Sequence, residues 1–292
     1  MLERDSQLVL GLDPDPAALW PAAVGGIEPG GDRASATASA VAAHCRAAIE
    51  AVGAACVAVK LQLACFERLG APGWAALAAS AASAREAGLL VIADGKRGDV
   101  PVTARAYAQA LVGSTPGPFG VVAGLGADAF TANPLLGRDS LEPLVGAAVE
   151  AGAGCFCLVR TSNPGAADVQ DADSGGRPLH ERLAELVEEL GHAEVGRSGL
   201  SCVGAVCGAT RPEHLERLRQ LMPRAIFLLP GVGAQGGAVE MLAPAFAPHR
   251  AAGLVTASRS IVDAHRSRPG DPPAAARAAA EELRAAAWSL AG

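Results

Sequence analysis

The chain has 292 residues, half of them hydrophobic, with aromatics at only 3% and a formal net charge of -6. An acidic chain without a basic stripe is not expected to bind nucleic acid or an anionic membrane surface. It holds no run of about 18 apolar residues, the length a membrane span needs. Its opening residues, Met1-Leu2-Glu3-Arg4-Asp5, lack the basic-then-apolar layout of a signal peptide.

The seven cysteines, Cys45, Cys56, Cys65, Cys155, Cys157, Cys202 and Cys207, fall mostly inside apolar runs, and none forms a C-x-x-C pair. Buried, reduced thiols in a cytoplasmic protein are expected, rather than zinc ligands or disulfides.

Eight strand-like runs recur, at residues 7–13, 56–62, 89–96, 129–133, 154–160, 202–207, 225–230 and 253–258. Each is nearly continuous in apolar residues rather than alternating. That is the pattern of strands covered on both faces, as in a parallel sheet. Helical signals separate them. Val41, Cys45, Ala48 and Val52 fall at 4-3-4 spacing, with Gly53 suited to a C-terminal cap. Trp74, Leu77 and Ala81 repeat the pattern up to Gly88.

Asp139-Ser140-Leu141-Glu142 and Thr210-Arg211-Pro212-Glu213 each resemble a capping box. Leu179, Leu183, Leu186 and Leu190 form one face of a helix ending at Gly191, and residues 273–290 predict a final Ala-rich helix. Eight strands, each followed by a helix, predict a single-domain (β/α)8 TIM barrel over residues 1–292, with a doubly wound open sheet as the alternative. Residues 163–176, rich in Asp, Gly and Ala, form a long polar segment of the kind that often serves as a lid or mobile insertion.

The third run leads straight into Asp94-Gly95-Lys96-Arg97-Gly98-Asp99. Burying charges at a strand end costs several kcal/mol per ion unless they pair, so two acids flanking a lysine suggest a site that needs a cation held between anions. Polar residues recur at the C-terminal strand ends, where a barrel places its active site. They are Asp13, Lys60, Thr131, Asn133, Arg160, Ser162, Ser258 and Arg259. For Thr131 and Asn133 the preferred reading is plain strand-end hydrogen bonding.

After the seventh run comes Gly231-Val232-Gly233-Ala234-Gln235-Gly236-Gly237, a G-x-G-x-x-G too late in the chain for a dinucleotide fold. Loops after strands seven and eight of a barrel often hold a phosphate through backbone N–H groups. Gly233 would allow close approach of the anion, and Arg259 would add a cation.

Together these residues resemble orotidine 5′-phosphate decarboxylase. The resemblance rests on Asp94-x-Lys96-x-x-Asp99, with Lys60 on the preceding strand and Asp13 in Gly11-Leu12-Asp13-Pro14. Lys96-Arg97-Gly98-Asp99-Val100, Arg160-Thr161-Ser162-Asn163-Pro164-Gly165 and the 230–237 segment are similar to its longer bacterial subgroup, type 2. The likeness runs from about Val9 to Ile261, with the motifs in family order.

The resemblance implies decarboxylation of orotidine 5′-phosphate to UMP, the last step of UMP biosynthesis, without metal or organic cofactor. It implies catalytic roles for Lys96, Asp94, Asp99 and Lys60. Substrate contacts would come from Asp13, Thr103, Ser162, Gln235, Gly233, Ser258 and Arg259. It also implies a homodimer in which Asp99 and Thr103 serve the partner's site. Two alternatives remain open: a Mg2+-dependent sugar-phosphate decarboxylase or synthase, which shares the D-x-K-x-x-D motif, and a non-catalytic nucleotide-binding barrel.

Overall fold

The fold is described from a computed structural model, which covers residues 1–27, 32–210, 212–233 and 236–291. The eight expected runs form strands β1 (Leu8–Leu12), β2 (Ala58–Gln62), β3 (Leu90–Arg97), β6 (Ala129–Ala132), β7 (Gly154–Arg160), β8 (Val203–Cys207), β9 (Phe227–Pro230) and β10 (Gly253–Ala257). They close into a barrel in the order β1-β10-β9-β8-β7-β6-β3-β2, so the open-sheet alternative falls. Their register is parallel at each pairing resolved here, as at Leu10–Val59, Lys60–Ile92 and Phe130–Cys155. Two further strands, β4 (Ser114–Gly117) and β5 (Gly120–Ala123), form a separate antiparallel hairpin that the sequence reading missed.

Two compact units are distinguished, Met1–Gly95 with Ala257–Ala285, and Lys96–Thr256 with Ala286–Gly292. In the first, helices Arg33–Val52 and Ala71–Glu86 pack on each other and bury Val41, Cys45, Ile49 and Leu77. Asp32 caps the longer helix, its carboxylate accepting from the Ala34 and Ser35 N–H groups. Gly53 is the C-cap residue, but its backbone is right-handed and continues into a 3-10 turn. The left-handed glycine lies after the second helix, at Gly88 (φ +69). Trp74 is 44% exposed and lies off the buried face, where Gly73, Ala76 and Ser80 sit instead.

In the second unit, helices Pro101–Leu111 and Arg138–Ala151 pack together. The latter starts two residues earlier than expected. Gly137 (φ +96) is its N-cap, so Asp139 lies in the first turn and the capping box does not form. Helix Leu179–Gly191 buries His180, Ala184, Val187 and Gly191. The leucine stripe one position away is only half-buried. Helix Pro212–Leu221 forms as expected, whereas Arg211 of the second capping box lies outside the described residues. All seven cysteines are free. Burial pushes the Cys45, Cys56 and Cys207 thiols up to about 12. No helix is long and apolar enough to cross a membrane among the described residues.

Candidate active site

The first unit carries a buried lysine between two acids. Lys60, in the middle of β2, is 6% exposed. Its ammonium donates to Asp94 Oδ2 at 2.7 Å and to Asp13 Oδ1 at 3.5 Å. Gln62 Nε2 donates to the same Asp94 oxygen at 3.2 Å. Burial works against the Lys60 charge, but the Asp94 and then the Asp13 carboxylates outweigh it, so its pKa lies above the usual lysine value. A lysine here stays charged because the strand register delivers acids to it: Gln62 pairs with Asp94, two residues along from the Lys60–Ile92 pair.

Asp13 follows β1 and lines a cavity of about 240 Å³ with Asp15, His44, Ser258 and Arg259. Ser258 accepts the Ile261 and Val262 N–H groups through its carbonyl. The Arg259 side chain is exposed.

The second unit carries Lys96, whose side chain is exposed and whose backbone is left-handed at φ +49. Its N–H donates to Thr131 Oγ1 at 2.8 Å. Asn133 donates its N–H to the Arg97 carbonyl at 2.7 Å, and its Oδ1 caps the turn Pro134–Leu136. Thr131 and Asn133 thus do the strand-end bonding expected of them. Gly98 must be glycine, since a Cβ there would lie 2.6 Å from the Asn133 carbonyl oxygen. Asp99 accepts the Val100 N–H through Oδ1 at 2.8 Å, and its carbonyl accepts from Ser140 Oγ at 2.6 Å. Thr103, half-buried, lies in the first turn of Pro101–Leu111.

Ser162 follows β7, and its carbonyl accepts from Thr210 Oγ1 at 3.1 Å. Gly233 (φ +76) closes a tight turn, accepting from Gly236 N–H at 2.8 Å and donating to the Gly237 carbonyl at 2.9 Å. Gln235 lies outside the described residues.

Two expectations change. Arg160, counted among the rim cations, is 3% exposed and bonded within its own unit. Its Nε and Nη2 donate to the two Asp171 carboxylate oxygens at 2.8 and 2.9 Å. Residues 163–176 are not a bare loop. They contain the short helix Ala166–Val169, and Asp173 bridges to Pro178. Sequence reading missed Gln170, Asp171 and Thr210, because no spacing rule links residues across a loop of this length.

A closed barrel of parallel strands, with charged residues at their C-terminal ends, defines an α/β-barrel enzyme. The profile of the orotidine 5′-phosphate decarboxylase / HUMPS family matches residues 6–279, and the chain belongs to that family. The orotidine 5′-phosphate decarboxylase of Rhodopirellula baltica is 44% identical over 237 residues, 80% of this chain and 76% of that protein. That of Deinococcus radiodurans is 44% identical over 234 residues, 80% of each. Among solved structures, Leishmania donovani OMP decarboxylase is similar with a TM-score of 0.72 and 33% identity, covering 98% of this chain and 96% of that one. A putative orotidine 5′-phosphate decarboxylase from Streptomyces avermitilis gives 0.76 and 31%, covering 99% and 93%.

Proposed function

We propose that this chain, as one barrel domain in the cytoplasm, converts orotidine 5′-phosphate to UMP and CO2, the last step of UMP biosynthesis. The observation that carries this is the buried Lys60 held by Asp13 and by Asp94, the first residue of the D-x-K-x-x-D motif, in a chain of this family. Binding alone gives no reason to bury such charges.

The C6–carboxylate bond breaks and its electron pair stays on C6 of the pyrimidine. The Lys96 ammonium stabilises that pair and then gives C6 a proton. Asp94 and Asp99 orient Lys96, and Asp94 also faces the substrate carboxylate. Two unit charges about 4 Å apart at an effective dielectric near 20 interact by roughly 4 kcal/mol, a repulsion relieved as CO2 leaves. Stabilisation of the carbanion by a pre-placed ammonium carries more weight, because only interactions stronger in the transition state accelerate the step.

Asp13 and Lys60 bind ribose hydroxyls, Ser162 the pyrimidine, and Gln235 both base and phosphate. Gly233, Ser258 and Arg259 hold the phosphate. The chemistry uses neither a metal nor an organic cofactor. Loss of orotidine 5′-phosphate absorbance should therefore proceed unchanged in EDTA. Activity abolished by the chelator and restored by Mg2+ would instead favour a sugar-phosphate enzyme of the same barrel type.

The working form is a two-fold dimer in which Asp99 and Thr103 reach the partner's site, an exchange that two-fold symmetry makes reciprocal. Lys96→Ala and Asp99→Asn homodimers should both be nearly inactive. When subunits exchange, one site of each mixed dimer carries both lesions and the other neither. Random pairing makes half the dimers mixed, so about a quarter of all sites should recover wild-type activity. Confirmed exchange without recovery would rule out the shared site.

A further inference from the structure

Ser162 is the only site residue offered for the pyrimidine alone, yet it sits on an irregular segment directly after β7, where the β7–β8 register shifts between Leu158 and Arg160. What fixes its position is a set of contacts from the far end of the following loop. Gln170 Oε1 accepts the Thr161 N–H at 2.8 Å, and Gln170 Nε2 donates to Thr161 Oγ1 at 3.0 Å. Arg160 donates through Nη1 to the Thr161 carbonyl while its other two nitrogens, Nε and Nη2, grip Asp171. Asp171 is also 3.1 Å from His180 Nδ1, which lies 3.0 Å from the Gln170 carbonyl.

On the other side, the Gly208 N–H donates to the Arg160 carbonyl at 2.7 Å. A Cβ on Gly208 would come within 2.8 Å of the Ser162 backbone. The Thr161 N–H is therefore held directly from the loop, the Thr161 carbonyl by Arg160, itself gripped by Asp171, and the Ser162 carbonyl by Thr210 Oγ1 from the segment after β8. A bidentate arginine–carboxylate pair is the most directional link available to a side-chain pair. Here it fastens the loop's end to the last residue of the strand that presents Ser162.

We propose that Arg160, Asp171 and Gln170 are positioning residues: a clamp that sets Ser162 against the base of the substrate, without touching substrate itself. This rests on the reading of Ser162 as the pyrimidine contact. The clamp therefore contributes to recognition of the base and not to that of the sugar phosphate.

The test compares two competitive inhibitors, UMP and ribose 5-phosphate, on wild type, Ser162→Ala, Asp171→Asn, Gln170→Ala and the double variant Ser162→Ala/Asp171→Asn. Loss of one well-placed hydrogen bond to the base corresponds to about a tenfold weakening. The UMP inhibition constant and KM should rise by about that factor in each single variant, with ribose 5-phosphate affinity unchanged. The double variant should be no worse than Ser162→Ala, since residues acting through one contact are not additive. Gln170→Ala leaves no buried charge unpaired, so it reports on the clamp even if Asp171→Asn folds poorly.

If Ser162→Ala weakens UMP but both clamp variants match wild type, the clamp is wrong and the Ser162 reading stands. If Ser162→Ala leaves UMP binding intact, the Ser162 reading itself fails. Equal weakening of both inhibitors would reduce the clamp to general structural support and overturn the proposal.

Discussion

Lys60 offers an internal comparison, because one ammonium meets two carboxylates in different surroundings. Asp94 lies at 2.7 Å with its side chain 6% exposed, and Asp13 lies at 3.5 Å with its side chain 38% exposed. Water screens the second contact, and exposed pairs are worth about 0–1 kcal/mol. Removing one partner of a buried pair costs about 3–5 kcal/mol, because the remaining charge is left without compensation. Asp94→Asn should therefore lower the unfolding free energy by about 3 kcal/mol, at the low end because the amide still accepts a hydrogen bond. Asp13→Asn should lower it by less than about 1 kcal/mol.

Replacing both members, Lys60→Met with Asp94→Asn, removes the buried charge and should recover much of the loss, since an apolar side chain of similar volume is often as stable as a buried pair. Urea unfolding at pH 7, with the slope held fixed across variants, measures all three. Equal costs for Asp94→Asn and Asp13→Asn would refute the reasoning, and so would a double variant no more stable than Asp94→Asn alone. All three variants should be catalytically impaired, so the separation appears in stability and not in turnover.

Arg259→Ala should weaken UMP about tenfold and leave uridine unaffected, because a charge-assisted bond of about 1.5 kcal/mol is lost only where a phosphate is present; equal loss for both in calorimetry would place Arg259 elsewhere. His44, which accepts the Trp20 backbone N–H through Nδ1 at 3.1 Å, has its pKa pulled down by burial from 6.5 to about 4. A depressed value means the unfolded chain takes up the proton first, so stability is full above about pH 6.5 and is lost as pH falls toward about 4. The total is about 3 kcal/mol, and His44→Gln should flatten that part of the stability-against-pH curve; an unchanged slope would remove His44 from the account. Lys96→Ala and Lys96→Gly should both lose turnover by many orders of magnitude, but the glycine variant should unfold at higher urea, by about 1 kcal/mol.

The barrel was legible because parallel strands covered on both faces read as unbroken apolar runs, and eight such runs are hard to arrange otherwise. Strand ends slipped by one or two residues, as at Gln7 and Ser258, since a buried run continues past its last ladder bond. The hairpin Ser114–Gly117 and Gly120–Ala123 left no such signal. Both its strands are exposed and Pro116, Pro118 and two glycines interrupt it, so no face is patterned by burial. In helix Leu179–Gly191 the leucines marked the wrong stripe, because small residues, Ala184 and Gly191, fill the tighter contact. Lys60, Asp94 and Asp13 could be read as charges within or just after apolar runs, although Lys60 lies in the middle of β2 and not at its end. Arg160 could not, because a cation at a strand end looks the same in sequence whether it faces a ligand or a carboxylate supplied by a distant loop residue such as Asp171.

Lys96 is where local preference and the rest of the fold disagree. Among described residues only Asp5 and Lys96 adopt positive φ without being glycine. A lysine held there costs about 1–2 kcal/mol relative to an ordinary backbone, a cost that glycine avoids. Gly95 precedes it and Gly98 follows two residues later, so the chain could have placed its flexible residue at the turn itself. It places an ammonium there instead and ties the backbone to Thr131 Oγ1 at 2.8 Å. Strain of this kind persists only where the surroundings over-determine the conformation, and it gathers at working sites. Core packing does not account for it, because Lys96 is exposed and not part of the buried core. The role proposed for Lys96, a proton donor projecting from a fixed point on a strand end, would account for it. The left-handed backbone breaks the strand alternation at Lys96, and the bond from its N–H to Thr131 Oγ1 holds that turn.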